Sequence, residues 1–291
     1  MLKLLKKWRK SSNRLEHLKS LYDDRKWKKW YKDFHRRNVP PYTLTNGLPI
    51  HFDPKWKRIG ISFSGGADSS LLLYILCKLI KDTGSECKIY PLSLIRFHEE
   101  KPWLEYMCKD VYTWIDQQFP NILQEQQWGF IPTFLETVKI SQLNDWQLNE
   151  KFNAELASCD VAVVDSFVHY QIKKFNLEYV YTGNTTNPPI DHEKAPAFRQ
   201  PEIMADNLNR VLSAVHISPF ALINKAWVMA QYNNFNLKET LLPLTRSCEH
   251  SMKEYGLDSW IYGDAYPTPC GECFFCKERE WGWNNAGEFY E

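Results

Sequence analysis

The strongest constraint on the fold is the stretch at 61–73, which reads I-S-F-S-G-G-A-D-S-S-L-L-L. An apolar run, two glycines and a second apolar run predict a buried strand, a tight turn and a helix. Gly65 and Gly66 permit positive φ, so backbone N–H groups can turn inward where the helix near Asp68 begins with the positive end of its dipole. Hydroxyl donors are added by Ser64, Ser69 and Ser70. The predicted ligand of this turn is a phosphate group.

Two common nucleotide-binding motifs are excluded, because the loop lacks the lysine of G-x-x-x-x-G-K-S/T and the spacing of G-x-G-x-x-G. The loop instead resembles the S-G-G-x-D-S signature of the PP-loop ATP pyrophosphatases, with Ala67 in the free position. Those enzymes cleave ATP between its α- and β-phosphates. An acidic residue beside a phosphate site indicates Mg²⁺, here at Asp68. The alternative is an ordinary strand-to-helix turn that is rich in small residues.

The segments that follow predict an open, mostly parallel α/β sheet of the PP-loop type, with helices on both faces. Strands are expected at 87–94, 130–138, 179–181 and 216–218, and helices at 68–81, 103–119, 158–175 and 202–214. Thr182 and Gly183 come directly after one of these strands. Because the carboxyl ends of parallel strands meet at one edge of a sheet, this T-G turn is expected beside the S-G-G turn.

The length of 291 residues suits one large domain or two small ones. Residues 1–5 are too short and too soon followed by charge to form a secretion signal, so a cytoplasmic protein is expected. The net charge of +1 conceals an asymmetry, since residues 1–38 contain fourteen Lys or Arg residues against four acidic ones. The N-terminal segment is therefore strongly basic, whereas the rest of the chain is acidic.

Residues 1–57 are predicted to be a basic, aromatic-rich helical arm followed by a short hairpin around Asn46-Gly47. The aromatic face of the arm either docks on the domain and leaves Lys and Arg in water, or stacks on bases while the cations contact a nucleic-acid backbone. A membrane surface is a third alternative. The rest of the chain is divided into a nucleotide-binding domain at 58–240 and a four-cysteine segment at 241–291 that packs on the same domain.

Four of the eight cysteines form a cluster near the C-terminus with the spacing C-x21-C-x2-C-x2-C: Cys248, Cys270, Cys273 and Cys276. Four thiolates at this spacing fit tetrahedral Zn²⁺. A complete Cys₄ shell predicts a structural ion that pins the tail, because it leaves no open position for catalysis. An iron–sulfur cluster would also accept four cysteines, and disulfides are a further alternative.

Further stretches resemble one family within the PP-loop enzymes. P-F-A-L-I-N-K at 219–225, L-T-R-S-C at 244–248 and C-G-E-C-F-F-C at 270–276 are similar to the C-terminal half of the 7-cyano-7-deazaguanine synthases. These are zinc-containing enzymes of queuosine-precursor biosynthesis. R-Q-P-E at 199–202 resembles the R-P-E stretch of the same family, with one residue inserted.

The chain departs from that family at two places. The family has no counterpart of residues 1–57, and its Y-P-D-C motif is replaced here by K-A-P-A-F at 194–198. Members of the family recognise their deazapurine substrate near that motif. The resemblance therefore carries over nucleotide chemistry better than it carries over the identity of the substrate.

The resemblance implies an ATP-dependent ligase that uses ATP, Mg²⁺ and a structural Zn²⁺. A carboxylate of a deazapurine attacks the α-phosphate of ATP, pyrophosphate leaves, ammonia captures the acyl-adenylate, and more ATP dehydrates the amide to a nitrile. The residues implied to bind ATP are Ser64, Gly65, Gly66, Asp68, Ser69, Ser70, Thr182 and Gly183. The implied catalytic residues are Asp68, Ser69 and Lys225, and the implied substrate-binding residues are Arg199 and Glu202. Surface salt bridges are the alternative role for Lys225, Arg199 and Glu202.

Other functions stay open at the level of sequence. The same adenylation could act on a base in RNA or DNA, or on a protein group, delivered by the basic arm at 1–38. A module that binds a nucleotide without turning it over is a second alternative. Sulfur transfer to RNA would need a reactive cysteine pair near the nucleotide, and Cys77 and Cys159 offer no evident pair. Homodimer formation is also left open.

Overall fold

The computed structural model describes residues 50, 52–96, 100–131, 160–190, 192, 193, 195, 196, 199, 216–221 and 223–289. Their centre is a five-stranded sheet in which all neighbouring strands are parallel. The strands β1 to β5 are Arg58–Ser62, Lys88–Arg96, Gln127–Ile131, Tyr179–Thr182 and His216–Ile217. The α-helices of the described residues, α1 to α5, are Ala67–Thr83, Trp103–Gln118, Asp160–Phe175, Lys225–Asn234 and Phe274–Asn285. The predicted α/β class with a parallel sheet is confirmed.

The strand order is β3-β2-β1-β4-β5. Gly60 in β1 lies opposite Tyr90 of β2 on one side and Val180 of β4 on the other. The chain thus builds the sheet outward from β1 to β3 and then returns to the other side of β1, so the order reverses between β1 and β4. In open α/β sheets, ligands bind beyond the carboxyl ends of the strands at such a reversal. The loop after β1 and the turn after β4 both open at this place.

Helices cover both faces of the sheet, and their apolar side chains explain why. On one face, α1 buries eleven of its 17 residues, among them Leu72 and Leu76, against the sheet and neighbouring helices. On the other face, Phe167 of α3 packs with Leu92 and Val180 of the strands. Burial of each large apolar side chain contributes about 1.5–3 kcal/mol, so both layers hold the sheet in place.

The sequence did not predict the two C-terminal helices α4 and α5. Eight of the ten residues of α4 are buried, so its sequence lacks the alternating faces by which an amphipathic helix is recognised. The Asn224 side chain caps its start by accepting a hydrogen bond of 3.1 Å from the Ala226 N–H. Helix α5 packs against α4, and α4 packs in turn against α1.

Several predictions lie outside the described residues: the basic arm at 1–38, most of the hairpin, the continuation of β3 at 132–138, and the helix at 202–214. Of the hairpin segment, Ile50 and Phe52 are described, and both are buried in the main core. No helix in the described part of the chain has the length and apolar character needed to cross a membrane.

Candidate functional site

The loop between β1 and α1, hereafter the phosphate loop, has a backbone conformation that suits anion binding. Gly65 has φ +70°, and Gly66 is extended where it precedes the first turn of α1. The Ser69 hydroxyl donates to the Gly66 carbonyl oxygen at 3.2 Å and lies 3.1 Å from the Ser64 hydroxyl. The first turn of the 17-residue helix α1 therefore faces this loop with its free N–H groups and its positive dipole end.

The T-G turn after β4 lies directly on the start of α1. A Cβ atom at Gly183 would stand 2.9 Å from the Ser69 backbone nitrogen and 3.0 Å from the Asp68 carbonyl carbon. Real Cβ atoms essentially never come so close to backbone, so glycine is required at this position. The two small-residue turns expected to adjoin each other are therefore in contact.

Two hydroxyl groups at this junction are buried without a hydrogen-bond partner in the described structure. They belong to Ser70, in the first turn of α1, and to Thr182, the last residue of β4. Buried polar groups in native proteins are nearly always paired, and both hydroxyls have a hydrogen bond left to make with a bound oxygen. Both residues were predicted from the sequence to contact ATP.

A chain of four charged side chains starts at the phosphate loop and enters the core. The Lys225 ammonium contacts both carboxylate oxygens of Asp68 at 2.6 and 2.5 Å, and it lies 3.4 Å from a Glu278 oxygen. Glu278 also forms an ion pair with Arg199. The side chains of Lys225, Arg199 and Glu278 are 2%, 6% and 0% exposed, whereas that of Asp68 is 21% exposed. Solvent therefore reaches this otherwise buried chain mainly at Asp68.

Arg199 is held on the protein side of this chain. Its guanidinium donates to the Thr185 carbonyl oxygen at 2.7 Å and to the Thr185 hydroxyl at 2.6 Å, in addition to its pair with Glu278. These bonds favour a supporting role for Arg199, and its predicted contact with a substrate stays a prediction. Glu202, its predicted partner in substrate binding, lies outside the described residues.

The segment 245–248 joins the phosphate loop to the cysteine cluster. The Arg246 N–H donates to the Gly65 carbonyl oxygen at 3.2 Å. A Cβ atom at Gly66 would lie 3.4 Å from the Arg246 carbonyl oxygen, so the two backbones are in van der Waals contact. Two residues later, Cys248 turns its thiol into the cluster.

The four clustered thiols converge on one point. The sulfur atoms of Cys248, Cys270, Cys273 and Cys276 all lie within 4.8 Å of one another. Backbone N–H groups of Glu272 and Cys273 donate to the Cys270 sulfur at 3.4 and 3.3 Å, as they do where sulfur carries negative charge. The Tyr255 hydroxyl lies 3.1 Å from the Cys248 sulfur. Hydrogen bonds from the Cys273 and Cys276 thiols lower the pKa of the Cys248 thiol.

The spacing of these sulfur atoms fits one tetrahedral ion. A metal–sulfur bond of about 2.3 Å places tetrahedral ligands about 3.8 Å apart. The Cys270 and Cys276 sulfur atoms are 3.9 Å apart. A four-iron cluster inserts a separate iron under each thiolate and holds the sulfur atoms farther apart. The geometry thus favours a single ion over a four-iron cluster, and the four cysteines predicted from the sequence are the residues that could hold it.

The other described cysteines lack the properties of reactive thiols. Burial raises the pKa of Cys108 to about 12, and Cys108 lies behind the phosphate loop, where a Cβ at Gly65 would meet its Cα at 3.0 Å. Burial raises the pKa of Cys87 to about 12 and raises that of Cys77 as well. These three thiols are protonated at neutral pH, so they do not offer the thiolate that sulfur transfer requires.

Comparisons with known proteins add little to this geometry. The sequence matches no protein-family description and no curated protein. Among solved structures, the chain is similar to the U34-tRNA thiolase NcsA from Methanococcus maripaludis, solved with its 4Fe-4S cluster. The TM-score is 0.40 and the identity 13%, over 86% of this chain and 88% of that one. A similarity this distant assigns no activity, so the functional argument rests on the site itself.

Two residues of the site were missed by sequence reasoning. Glu278 lies between Lys277 and Arg279 in the sequence and resembles an ordinary surface acid. Its burial is visible only when α5 is docked on α4. Arg246 stands inside the L-T-R-S-C stretch, and its position next to the first cluster cysteine was the one available signal.

Proposed function

We propose that the protein is an ATP-dependent adenylating enzyme of the PP-loop type, which transfers AMP to a substrate and releases pyrophosphate. The observation that supports this proposal most strongly is the junction of the two turns at the reversal of strand order. There the S-G-G-A-D-S loop, the N-terminus of α1 and the packed Gly183 lie together, and this is the proposed anion-binding site. A pyrophosphate group is an anion of suitable size and charge.

In this proposal, the backbone N–H groups at Gly65 and Gly66 and the hydroxyls of Ser64, Ser69 and Ser70 bind the β- and γ-phosphates. Thr182 and Gly183 line the side of the nucleotide pocket. Catalysis of such a transfer consists mainly of positioning and of stabilising charge on the departing pyrophosphate. The fixed phosphate loop supplies both without a chemical step of its own.

Asp68 and Lys225 provide the charge at the reacting phosphates. Asp68 is the partly exposed carboxylate of the four charged side chains, so it fits the role of a Mg²⁺ ligand. Phosphate oxygens would complete the coordination shell. Bound Mg²⁺ would neutralise phosphate charge. The Lys225 ammonium contacts the same carboxylate. Its position is fixed by Glu278, which in turn pairs with Arg199. Arg199 is thus proposed as a positioning residue.

For the acceptor, we propose a carboxylate followed by ammonia, as in the 7-cyano-7-deazaguanine synthases. The carboxylate oxygen bonds to the α-phosphorus as the bond to pyrophosphate breaks; ammonia then displaces AMP to give an amide, and further ATP removes water to give a nitrile. Support comes from the L-T-R-S-C stretch, which contacts the phosphate loop and carries the first cluster cysteine. Zn²⁺ is the proposed ion, since four thiolates at this spacing suit it.

Pyrophosphate release from Mg²⁺-ATP tests the proposal, with products followed by mass spectrometry in the presence and absence of 7-carboxy-7-deazaguanine and ammonia. A nitrile product supports both chemistry and substrate. Turnover only with RNA, DNA or a protein keeps the adenylation and moves the acceptor to a polymer recruited by the basic arm. No ATP binding by the metal-loaded protein would refute the proposal.

A matched pair of variants tests the metal contact. Asp68→Asn should abolish pyrophosphate release; circular dichroism and urea unfolding check that the variant is folded, because the change also removes a carboxylate partner of the buried Lys225. Asp82→Asn, on the same helix and in a surface pair with Lys78, should leave release unchanged. Equal activity of the two variants would remove the assignment of Asp68.

A further inference from the structure

Arg246 differs from the other arginines near the phosphate loop. The guanidinium groups of Arg199 and Arg279 both donate hydrogen bonds to protein groups. Arg199 contacts Thr185 and Glu278. Arg279 donates to the Leu242 and Thr245 carbonyl oxygens, each at 3.1 Å. The Arg246 Nε is buried and has no hydrogen-bond partner within the described residues. The salt bridges found among those residues do not include Arg246.

The backbone of Arg246 is nevertheless fixed on the phosphate loop. Its N–H donates to the Gly65 carbonyl oxygen, and its own carbonyl oxygen is in contact distance of Gly66. On the other side, Cys248 anchors the same segment in the cysteine cluster. A guanidinium with an unpaired Nε donor is thus carried by a segment that is fixed between the phosphate loop and the cysteine cluster.

The described ion pairs give Arg246 no carboxylate partner. The negative charge of Asp68 is already matched by Lys225, and that of Glu278 by Arg199. The guanidinium of Arg246 is therefore offset by no described carboxylate, and its charged neighbours are the thiols of Cys248 and Cys276. A buried donor without an acceptor costs free energy, and a ligand that supplies acceptor oxygens removes this cost.

We infer that Arg246 binds the polyphosphate of the nucleotide directly, as a guanidinium clamp held in place by the cysteine-bound metal. This inference rests on the proposed function, since it assigns a further residue to the same site. Arginine suits the role, because its planar fork donates two hydrogen bonds to phosphate oxygens. The competing role is electrostatic support of the thiolates, because Arg246 also interacts with Cys248 and Cys276.

Calorimetric titration of the metal-loaded protein with inorganic pyrophosphate and with Mg²⁺-ATP separates the two roles. Arg246→Gln should weaken binding of both ligands about 10- to 100-fold, the range for a charge-assisted hydrogen bond. Arg246→Lys should recover part of the affinity, because it restores the charge without the fork. Lys277→Gln removes a cation from an exposed surface pair on α5 and should bind like wild type.

Metal content and melting temperature are measured on every variant. Unchanged affinity in Arg246→Gln together with loss of metal would overturn the inference and assign Arg246 to the cluster. Unchanged affinity with unchanged metal would also overturn it, while the proposed function would stand. If wild type binds neither ligand, the proposed function fails, and the assignment of Arg246 fails with it.

Discussion

Glu278→Gln is expected to be among the most destabilising conservative substitutions in this protein. Asp68, Lys225, Glu278 and Arg199 together carry no net charge. Glutamine keeps the shape of the side chain but leaves two cations, 2% and 6% exposed, to share the single carboxylate of Asp68. Removing one partner of a buried ion pair costs about 3–5 kcal/mol. This is a large part of the roughly 5–15 kcal/mol by which domains are stable.

Urea unfolding at pH 7 measures this cost, and the same helix supplies a control. Glu280 pairs with Lys277 at 3.4 Å, and their side chains are 62% and 49% exposed. Glu280→Gln should cost no more than about 1 kcal/mol, because exposed pairs contribute little. Equal losses in Glu278→Gln and Glu280→Gln would refute the account of the buried chain.

A double-mutant cycle sharpens the test. Arg199→Met alone leaves an excess of negative charge, and Glu278→Gln alone leaves an excess of positive charge. Together they leave Asp68 and Lys225 as a neutral pair, so the double variant should lose clearly less stability than the sum of the single losses. Strictly additive losses would show that Arg199 and Glu278 do not depend on each other.

Three further outcomes are expected. Gly183→Ala should lower the free energy of unfolding by about 1–3 kcal/mol and weaken ATP binding, because its Cβ would stand 2.9 Å from the Ser69 backbone nitrogen. Urea unfolding and calorimetry measure the two effects. Retained affinity would contradict the contact between the two turns. Cys248→Ser should lower the metal content, the melting temperature and the ATP affinity, since the neighbouring Arg246 N–H donates to the Gly65 carbonyl oxygen. Metal loss without any change in ATP affinity would show that the two sites are not coupled. Cys108 should resist iodoacetamide at pH 8 in the native protein and react once unfolded, because its pKa of about 12 leaves about one thiol in ten thousand ionised; fast native labelling would contradict its burial.

The parts of the fold and site that could be predicted are formed by residues that lie close together in the sequence. The strand, glycine turn and helix at 61–73 lie within one run of residues, and three of the four cluster cysteines lie within seven. The parallel sheet followed from apolar segments of the right length. Such signals need no knowledge of distant contacts, because each arises from backbone preference or ligand spacing.

The parts that the sequence did not predict depend on contacts between distant residues. Glu278 and Arg199 are 79 positions apart, and Lys225 and Asp68 are 157 apart. Nothing near Glu278 in the sequence indicates that its carboxylate is buried. Helix α4 was not predicted for a related reason. A helix that is buried on all sides lacks the alternation of apolar and polar residues by which helices are recognised.

The long separation between the partners of this site has a consequence for synthesis. The phosphate loop and β1 emerge from the ribosome before Lys225, Arg246 and Glu278, which lie more than 150 residues later in the chain. Until α5 has been released and has docked on α4, Lys225 has no Glu278 beside it. A nascent chain can therefore form much of the sheet before the site is complete, so nucleotide capture should begin only after α5 has emerged and docked.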